Sequence, residues 1–196
     1  MTTIAVTATE IAWDSQSTRG NIRGIAATEK VFAIAGHIYA CCGEADACEV
    51  APYWHADGAD PRKLPKGDWG MLVINEVGIR FYGRDCPNGY FLAYPQAIGS
   101  GNEYALTAMM LGKTALQAVE VAAAIDIYTG GPFKSMKLKD VFKAHKAEQA
   151  RQQKGVEKVL ETVGEDPAEA VKKQTARRKG VKKAVVKKTA KAGSVA

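Results

Sequence analysis

Long apolar runs are missing from this sequence. No stretch approaches the roughly 18–20 residues that cross a bilayer as a helix, so no membrane partner is expected. The first residues carry no basic n-region, and Thr7, Thr9 and Glu10 interrupt any apolar core of a secretory signal. A cytoplasmic chain is the expectation. Cysteine is scarce, at four in 196 residues, which is too few to form a disulfide framework for a chain of this length. Cys41 and Cys42 are neighbours in a strand-like run, which turns their side chains to opposite faces. The three histidines, His37, His55 and His145, are scattered and show no metal-ligand spacing, so neither a metal nor another cofactor is expected. No segment repeats, and nothing alternates strand and helix in the manner of a dinucleotide-binding fold.

The formal charge of +6 hides two regimes. Residues 143–196 hold 15 of the 27 Lys and Arg but 6 of the 21 Asp and Glu. The body of the chain is therefore slightly acidic and its C-terminal part strongly basic. Hydrophobic residues make up 46% of the whole, enough for one core plus an extension.

Short β-rich runs dominate the first hundred residues. Thr3–Thr7 and Glu10–Trp13 are spaced as a hairpin, and the polar stretch from Ser15 to Gly24 reads as a loop. Lys30–Ala35 and His37–Cys42 read as strands joined through Gly36. A short helix is expected from Glu44 to about Trp54, and the Gly- and Pro-bearing stretch from Asp57 to Asp68 is a loop. Met71–Ile74 and Val77–Tyr82 form a second hairpin, followed by short strands at Tyr90–Ala93 and Ala97–Ile98. Two helices follow, one from a cap at Asn102 to Leu111 and one from a cap at Thr114 to Ile125. Beyond Leu138 a polar helical pattern runs to about Val163. The class is α+β, with antiparallel sheets and helices outside.

Chemistry enters at Thr2. A small residue after the initiator Met permits removal of Met1, which would leave Thr2 with a β-hydroxyl and a free α-amine. That amine titrates near pH 7.7–8.0 and can serve as general base for its own hydroxyl, usually through a water. Thr after Met is common, so this feature alone says little. Asp14 ends the second strand, and a hairpin of this length can return it beside the first. Lys30 opens the third strand. A buried Lys30–Asp14 pair near the amine would favour its neutral form.

Taken together, six segments resemble the proteasome β-subunit family and the bacterial HslV peptidase, which are N-terminal-nucleophile (Ntn) hydrolases. In chain order they are Thr2-Thr3-Ile4, Asp14-Ser-Gln-Ser-Thr18, Lys30-Val31, Cys42-Gly43-Glu44-Ala45-Asp46, Gly99-Ser100-Gly101 and Asp126-Ile-Tyr-Thr-Gly-Gly131. The resemblance spans about residues 2–133. It implies an αββα sandwich of antiparallel sheets and a threonine-type peptidase. It implies catalytic roles for Thr2, Asp14, Lys30, Ser100, Asp126 and Thr129. The backbone N–H of Cys42 or Gly43 would be the oxyanion donor. Ser17, Thr28, Phe32, Ala40, Glu44 and Cys48 would line the pocket before the scissile bond, and Thr18 would bind substrate backbone. Glu44 in that pocket would favour basic residues. Two departures stand out. Cys42 replaces the first glycine of the family's Gly-Gly pair. Only about 25 residues separate Asp46 from Met71, so the first helical layer is reduced.

The resemblance also implies a peptide or unfolded-protein substrate, a homo-oligomer that could close into a ring, and an ATPase unfoldase partner. A small amide is the alternative substrate. The expected layout is an Ntn-hydrolase domain over 1–138, a charged helical extension over 139–166 and a basic, disordered tail over 167–196. Residues 170–196 carry ten Lys and Arg without an acid and no interleaved aromatic. They suit non-specific nucleic-acid contact or a simply solvated tail. Two rival readings remain: a catalytically inactive structural or assembly subunit, and a nucleic-acid-associated protein acting through the tail.

Overall fold

A computed structural model describes residues 2–19, 22–24 and 27–163; the expected tail at 167–196, with its 170–196 polybasic stretch, lies outside them. The chain divides into two units, Met1–His145 and Lys146–Ala196. The first holds strands β1 (Thr3–Val6), β2 (Glu10–Trp13), β3 (Thr18–Arg19), β4 (Ile22–Arg23), β5 (Val31–Ile34) and β6 (His37–Gly43). These are followed by helix α1 (Ala45–Ala56) and strands β7 (Trp69–Asn75), β8 (Gly78–Gly83), β9 (Cys86–Leu92) and β10 (Gln96–Gly99). Helices α2 (Asn102–Met110) and α3 (Ala115–Ala123), strand β11 (Lys134–Lys137) and helix α4 (Leu138–Val163) complete the described residues. No described helix is long and apolar enough to cross a membrane.

Two antiparallel sheets carry the architecture, ordered β10-β1-β2-β11 and β5-β6-β7-β8-β9, with β3 and β4 forming a separate small ribbon. Side-chain alternation along each strand decides what each face meets. Between the sheets lie branched aliphatics: Ile4, Val6 and Ile11 of the first sheet against Ile38, Leu72, Ile74 and Ile79 of the second. The other face of the first sheet presents Ala5, Ala12 and Ala97 to Ala105, Ala108, Ala115, Ala118 and Ala122 of α2 and α3. Small side chains on both sides let those helices lie close to the strands. The other face of the second sheet is aromatic and sulfur-rich. Tyr39, Cys41, Met71 and Tyr82 pack there against Ala47, Ala51 and Trp54 of α1.

Several local expectations need correction. Asn102 does not cap α2; Gly101 occupies that position and supplies no side-chain cap. Thr114 does cap α3, in a reciprocal capping box with Gln117. The Ser15–Gly24 loop contains the two-residue strands β3 and β4. Strand β11 was not foreseen; its Lys-Ser-Met-Lys sequence is weakly β-forming, and pairing along β2 creates it. The strand placed at Tyr90–Ala93 begins earlier, at Cys86.

Candidate active site

The β1–β2 hairpin fixes the first half of the site. Its register pairs Ile4 with Trp13, so the next step outward sets Asp14 beside Thr3, and Asp14 N–H donates to the Thr3 carbonyl at 3.1 Å. The Asp14 side chain is fully buried. Its Oδ1 accepts from the Thr3 amide at 2.7 Å and from Lys30 Nζ at 2.7 Å. Its Oδ2 accepts from the amides of Gln16 at 3.0 Å and Gly130 at 3.3 Å. Charged acceptors make the stronger hydrogen bonds, so this carboxylate is firmly seated.

Lys30 comes from the other sheet. It immediately precedes β5, and its carbonyl accepts from the Cys41 amide at 2.9 Å. Its side chain crosses to Asp14 and donates also to the Gln16 carbonyl at 2.8 Å. Burial pushes the Lys30 ammonium below the usual lysine range, with the Asp14 charge and hydrogen bond opposing that shift. The pair, 6% and 0% exposed, ties the two sheets together beside residues 2 and 3.

The second half is built at the end of α3. Asp126 follows the helix, its amide donating to the Ala122 carbonyl at 2.7 Å. Its Oδ2 accepts from Ser100 Oγ at 2.7 Å and Thr129 Oγ1 at 2.6 Å, and its Oδ1 accepts from the Tyr128 amide at 3.1 Å. Burial pushes this carboxyl upward, but the three hydrogen bonds together outweigh it and leave its pKa below the usual value. Ser100 Oγ also lies 3.3 Å from the Thr2 carbonyl. Thr2 itself is 4% exposed. Thus Thr2, Asp14, Lys30, Ser100, Asp126 and Thr129 are brought together.

The glycines of the two motifs have steric reasons to be glycine. Gly99 has φ +96°, and a Cβ there would overlap the Thr2 carbonyl. A Cβ on Gly130 would strike Gln16 Oε1. On Gly101 it would strike Thr3 Oγ1 and lie 3.0 Å from Thr129 Oγ1 and 3.1 Å from the Ala122 methyl. Gly101→Ala is expected to cost about 1–3 kcal/mol through overpacking, read as a fall in the urea midpoint. Gly155→Ala is the control, because nothing lies within 4 Å of its added methyl; in helix α4 it should be neutral or stabilise by up to ~1 kcal/mol.

Strand parity distinguishes the two amides expected as oxyanion donors, those of Cys42 and Gly43. Cys41 N–H points to Lys30 on the β5 side, whereas Glu44 N–H points to the Asp68 carbonyl at 2.8 Å on the β7 side. Successive amides alternate. Cys42 N–H therefore faces β7, where its ladder partner is Gly70. Gly43 N–H faces the other way, on the side where β5 starts only at Val31. Of the two amides, Gly43 is the one directed away from the β6–β7 ladder.

The expected substrate-pocket residues do not form one wall. Phe32 and Cys48 both pack against the outer cluster of the second sheet, but Ala40 is fully buried between the sheets. Parity again explains this: Ala40 pairs with Val31, while Phe32 pairs with Tyr39. Cys41 shares the outer face with Phe32 and Cys48; burial raises its thiol pKa well above the usual value. Glu44 is exposed, and its Oε1 accepts from the Asp68 amide at 3.2 Å, so its carboxylate braces the 67–68 turn. Ser17 and Thr18 are half-buried; Thr18 pairs with Arg23 in the small ribbon. Thr28 donates its amide to the Ser15 carbonyl at 3.0 Å. Two contributors were missed. Thr3 joins both halves of the site, and Gln16 donates from Nε2 to the Ile127 carbonyl at 3.1 Å. Gln16 lies inside the Asp14–Thr18 segment; Thr3 stands next to Thr2 in a Thr-Thr pair. Among the described residues no group of three or more His, Cys, Asp or Glu is placed to hold a metal.

No family model matches the chain, and no curated protein matches it in sequence. Solved structures do match in fold. Thiobacillus denitrificans BPH in complex with epoxomicin is 20% identical, with 70% of this chain and 98% of that one covered at a TM-score of 0.54. A second structure of Thiobacillus denitrificans BPH is 20% identical, with 70% of this chain and 97% of that one covered at a TM-score of 0.51. Eukaryotic HslV from Trypanosoma brucei is 18% identical, covering 69% and 98% at 0.53. These likenesses establish a mixed α/β fold with antiparallel sheets, of the HslV and proteasome β-subunit type. The resemblance read from the six segments is to this same group.

Proposed function

We propose that the chain is a threonine-type endopeptidase of the Ntn-hydrolase class, with Thr2 as nucleophile after removal of Met1. The observation that supports it most is the convergence of two polar assemblies, the buried Asp14–Lys30 pair and the more open Ser100–Asp126–Thr129 group, on the backbone at residues 2 and 3. In this reading the freed Thr2 amine takes the hydroxyl proton, through a water, as Oγ attacks the peptide carbonyl. Lys30 favours the neutral amine by adjacent positive charge, and the Gly43 N–H receives the developing oxyanion. Collapse of the tetrahedral adduct forms an ester to Thr2 and expels the leaving amine, which carries away the proton. Water, deprotonated by the same amine, then hydrolyses the ester.

Residues 1–138 form the αββα Ntn domain, with α1 as a reduced outer layer, and 139–166 a charged extension. The assembly is a homo-oligomer in the cytoplasm, acting on peptides or unfolded protein delivered by an ATPase. The 170–196 segment, on its composition, adds salt-sensitive attraction to nucleic acid.

Intact mass before and after incubation with epoxomicin, the ligand in one similar structure, tests the core of this. The expected result is a chain lacking Met1, one epoxomicin adduct per chain, and turnover of fluorogenic peptides that the adduct abolishes. Retained Met1 together with no turnover would reject the enzyme and favour the structural subunit.

A further inference from the structure

Thr3 is fully buried, yet its side chain is polar and lies in a strand whose neighbours are apolar. All of its polar groups are committed. Its amide donates to Asp14 Oδ1 at 2.7 Å. Its carbonyl accepts from the Asp14 amide at 3.1 Å. Its Oγ1 accepts from the Gly101 amide at 3.1 Å and lies 2.6 Å from Thr129 Oγ1.

Donor counting fixes the direction of that last contact. A carboxylate can only accept, so the Thr129 hydroxyl proton is spent on Asp126 Oδ2, 2.6 Å away. Thr129 Oγ1 therefore accepts from Thr3, whose own proton is the one remaining. The order is Gly101 N–H to Thr3 Oγ1, Thr3 O–H to Thr129 Oγ1, Thr129 O–H to Asp126. Hydrogen bonds arranged head to tail strengthen one another.

We propose that Thr3 is a positioning residue for the reaction, clamping the nucleophile from its C-terminal side and directing a hydrogen-bond relay into Asp126. This rests on the peptidase reading above. Thr3 hydrogen-bonds to both assemblies: its amide is fixed by the Asp14–Lys30 pair and its hydroxyl by the Asp126 group. Both bonds restrain the residue that directly follows Thr2, one at its amide and one at its side chain. The relay also drains charge from Asp126. Without the Thr3 donor, Thr129 becomes a weaker donor, and the less-stabilised carboxylate holds the nearby ammonium form of Thr2 more strongly.

Thr3→Val keeps the shape and removes the hydroxyl; Thr3→Ser restores it. With a fluorogenic peptide as substrate, T3V is expected to lower kcat by roughly 10–100-fold, the scale of a displacement below 1 Å at a reacting group. KM should stay within about twofold, since Thr3 is buried and out of reach of substrate. The acidic limb of the kcat/KM profile should move upward by about half a pH unit, and T3S should return both values. Should T3V fail to fold, Thr3→Ala is read in the same way. A folded variant with unchanged kcat and an unchanged pH profile overturns the assignment, whatever its melting temperature. So does a loss confined to KM, or a T3S no better than T3V. Absence of turnover in the wild type overturns the peptidase reading and this one with it; full turnover in both wild type and T3V overturns this one alone.

Discussion

Thr2→Ala is expected to lower kcat/KM for peptide hydrolysis by at least about 10⁴-fold, because loss of a covalent nucleophile leaves only binding and oxyanion stabilisation. Thr2→Ser should keep activity within about tenfold, since the hydroxyl and the amine both remain. The fold should hardly notice either change. Ser100 Oγ donates to the Thr2 carbonyl, which alanine retains. Activity and melting temperature, measured on the same preparations, should therefore separate completely. Lys30 is the alternative base, and the geometry argues against it. Its ammonium already donates to Asp14 Oδ1 at 2.7 Å and to the Gln16 carbonyl at 2.8 Å. Burial lowers its pKa, but the paired carboxylate works to keep the proton in place. Peptide turnover that persists in T2A would end the assignment of the nucleophile.

Much of this site was legible because its residues sit at the ends of local elements. A hairpin of two four-residue strands puts position 14 beside position 3 by arithmetic alone. Ser100 directly follows β10, and Asp126 follows the end of α3, so strand and helix limits place them. Where long-range pairing decides, the sequence is mute. Whether Cys42 or Gly43 turns its amide outward depends on which neighbour β6 bonds at each step, and that register is set across the sheet. The same register sends Ala40 into the inter-sheet core and away from Phe32. Strand β11 exists because β2 offers it an edge. Glu44 was read for its charge, but a nearby unpaired amide at Asp68 claims its carboxylate. Thr3 was hidden for a different reason: a polar residue in a β-forming run is ordinary, and its partners Thr129 and Gly101 are about a hundred residues away.

Asp14→Ala should be the most destabilising single change at the site, and its comparison with Lys30→Met is diagnostic. The two partners are not equally dependent on each other. Asp14 is held by Lys30 and by three backbone amides, those of Thr3, Gln16 and Gly130. Removing Lys30 takes one of four donors from the carboxylate, which remains well solvated by the rest; the cost should be about 1–3 kcal/mol. Removing the carboxylate strips the acceptor from all four donors at once and leaves a buried ammonium without its counter-charge. Breaking a buried pair in that way costs roughly 3–5 kcal/mol, a large share of the 5–15 kcal/mol that holds a typical domain folded. Both variants should lose nearly all peptide turnover, since each removes half of the charge pair beside Thr2. Urea midpoints should rank wild type above K30M and K30M above D14A, with D14A unfolded or nearly so at 37 °C. If K30M proved the less stable of the two, the backbone cradle around Asp14 would not be what seats the pair. The two sheets would then be joined at this point by the lysine stem packing between them.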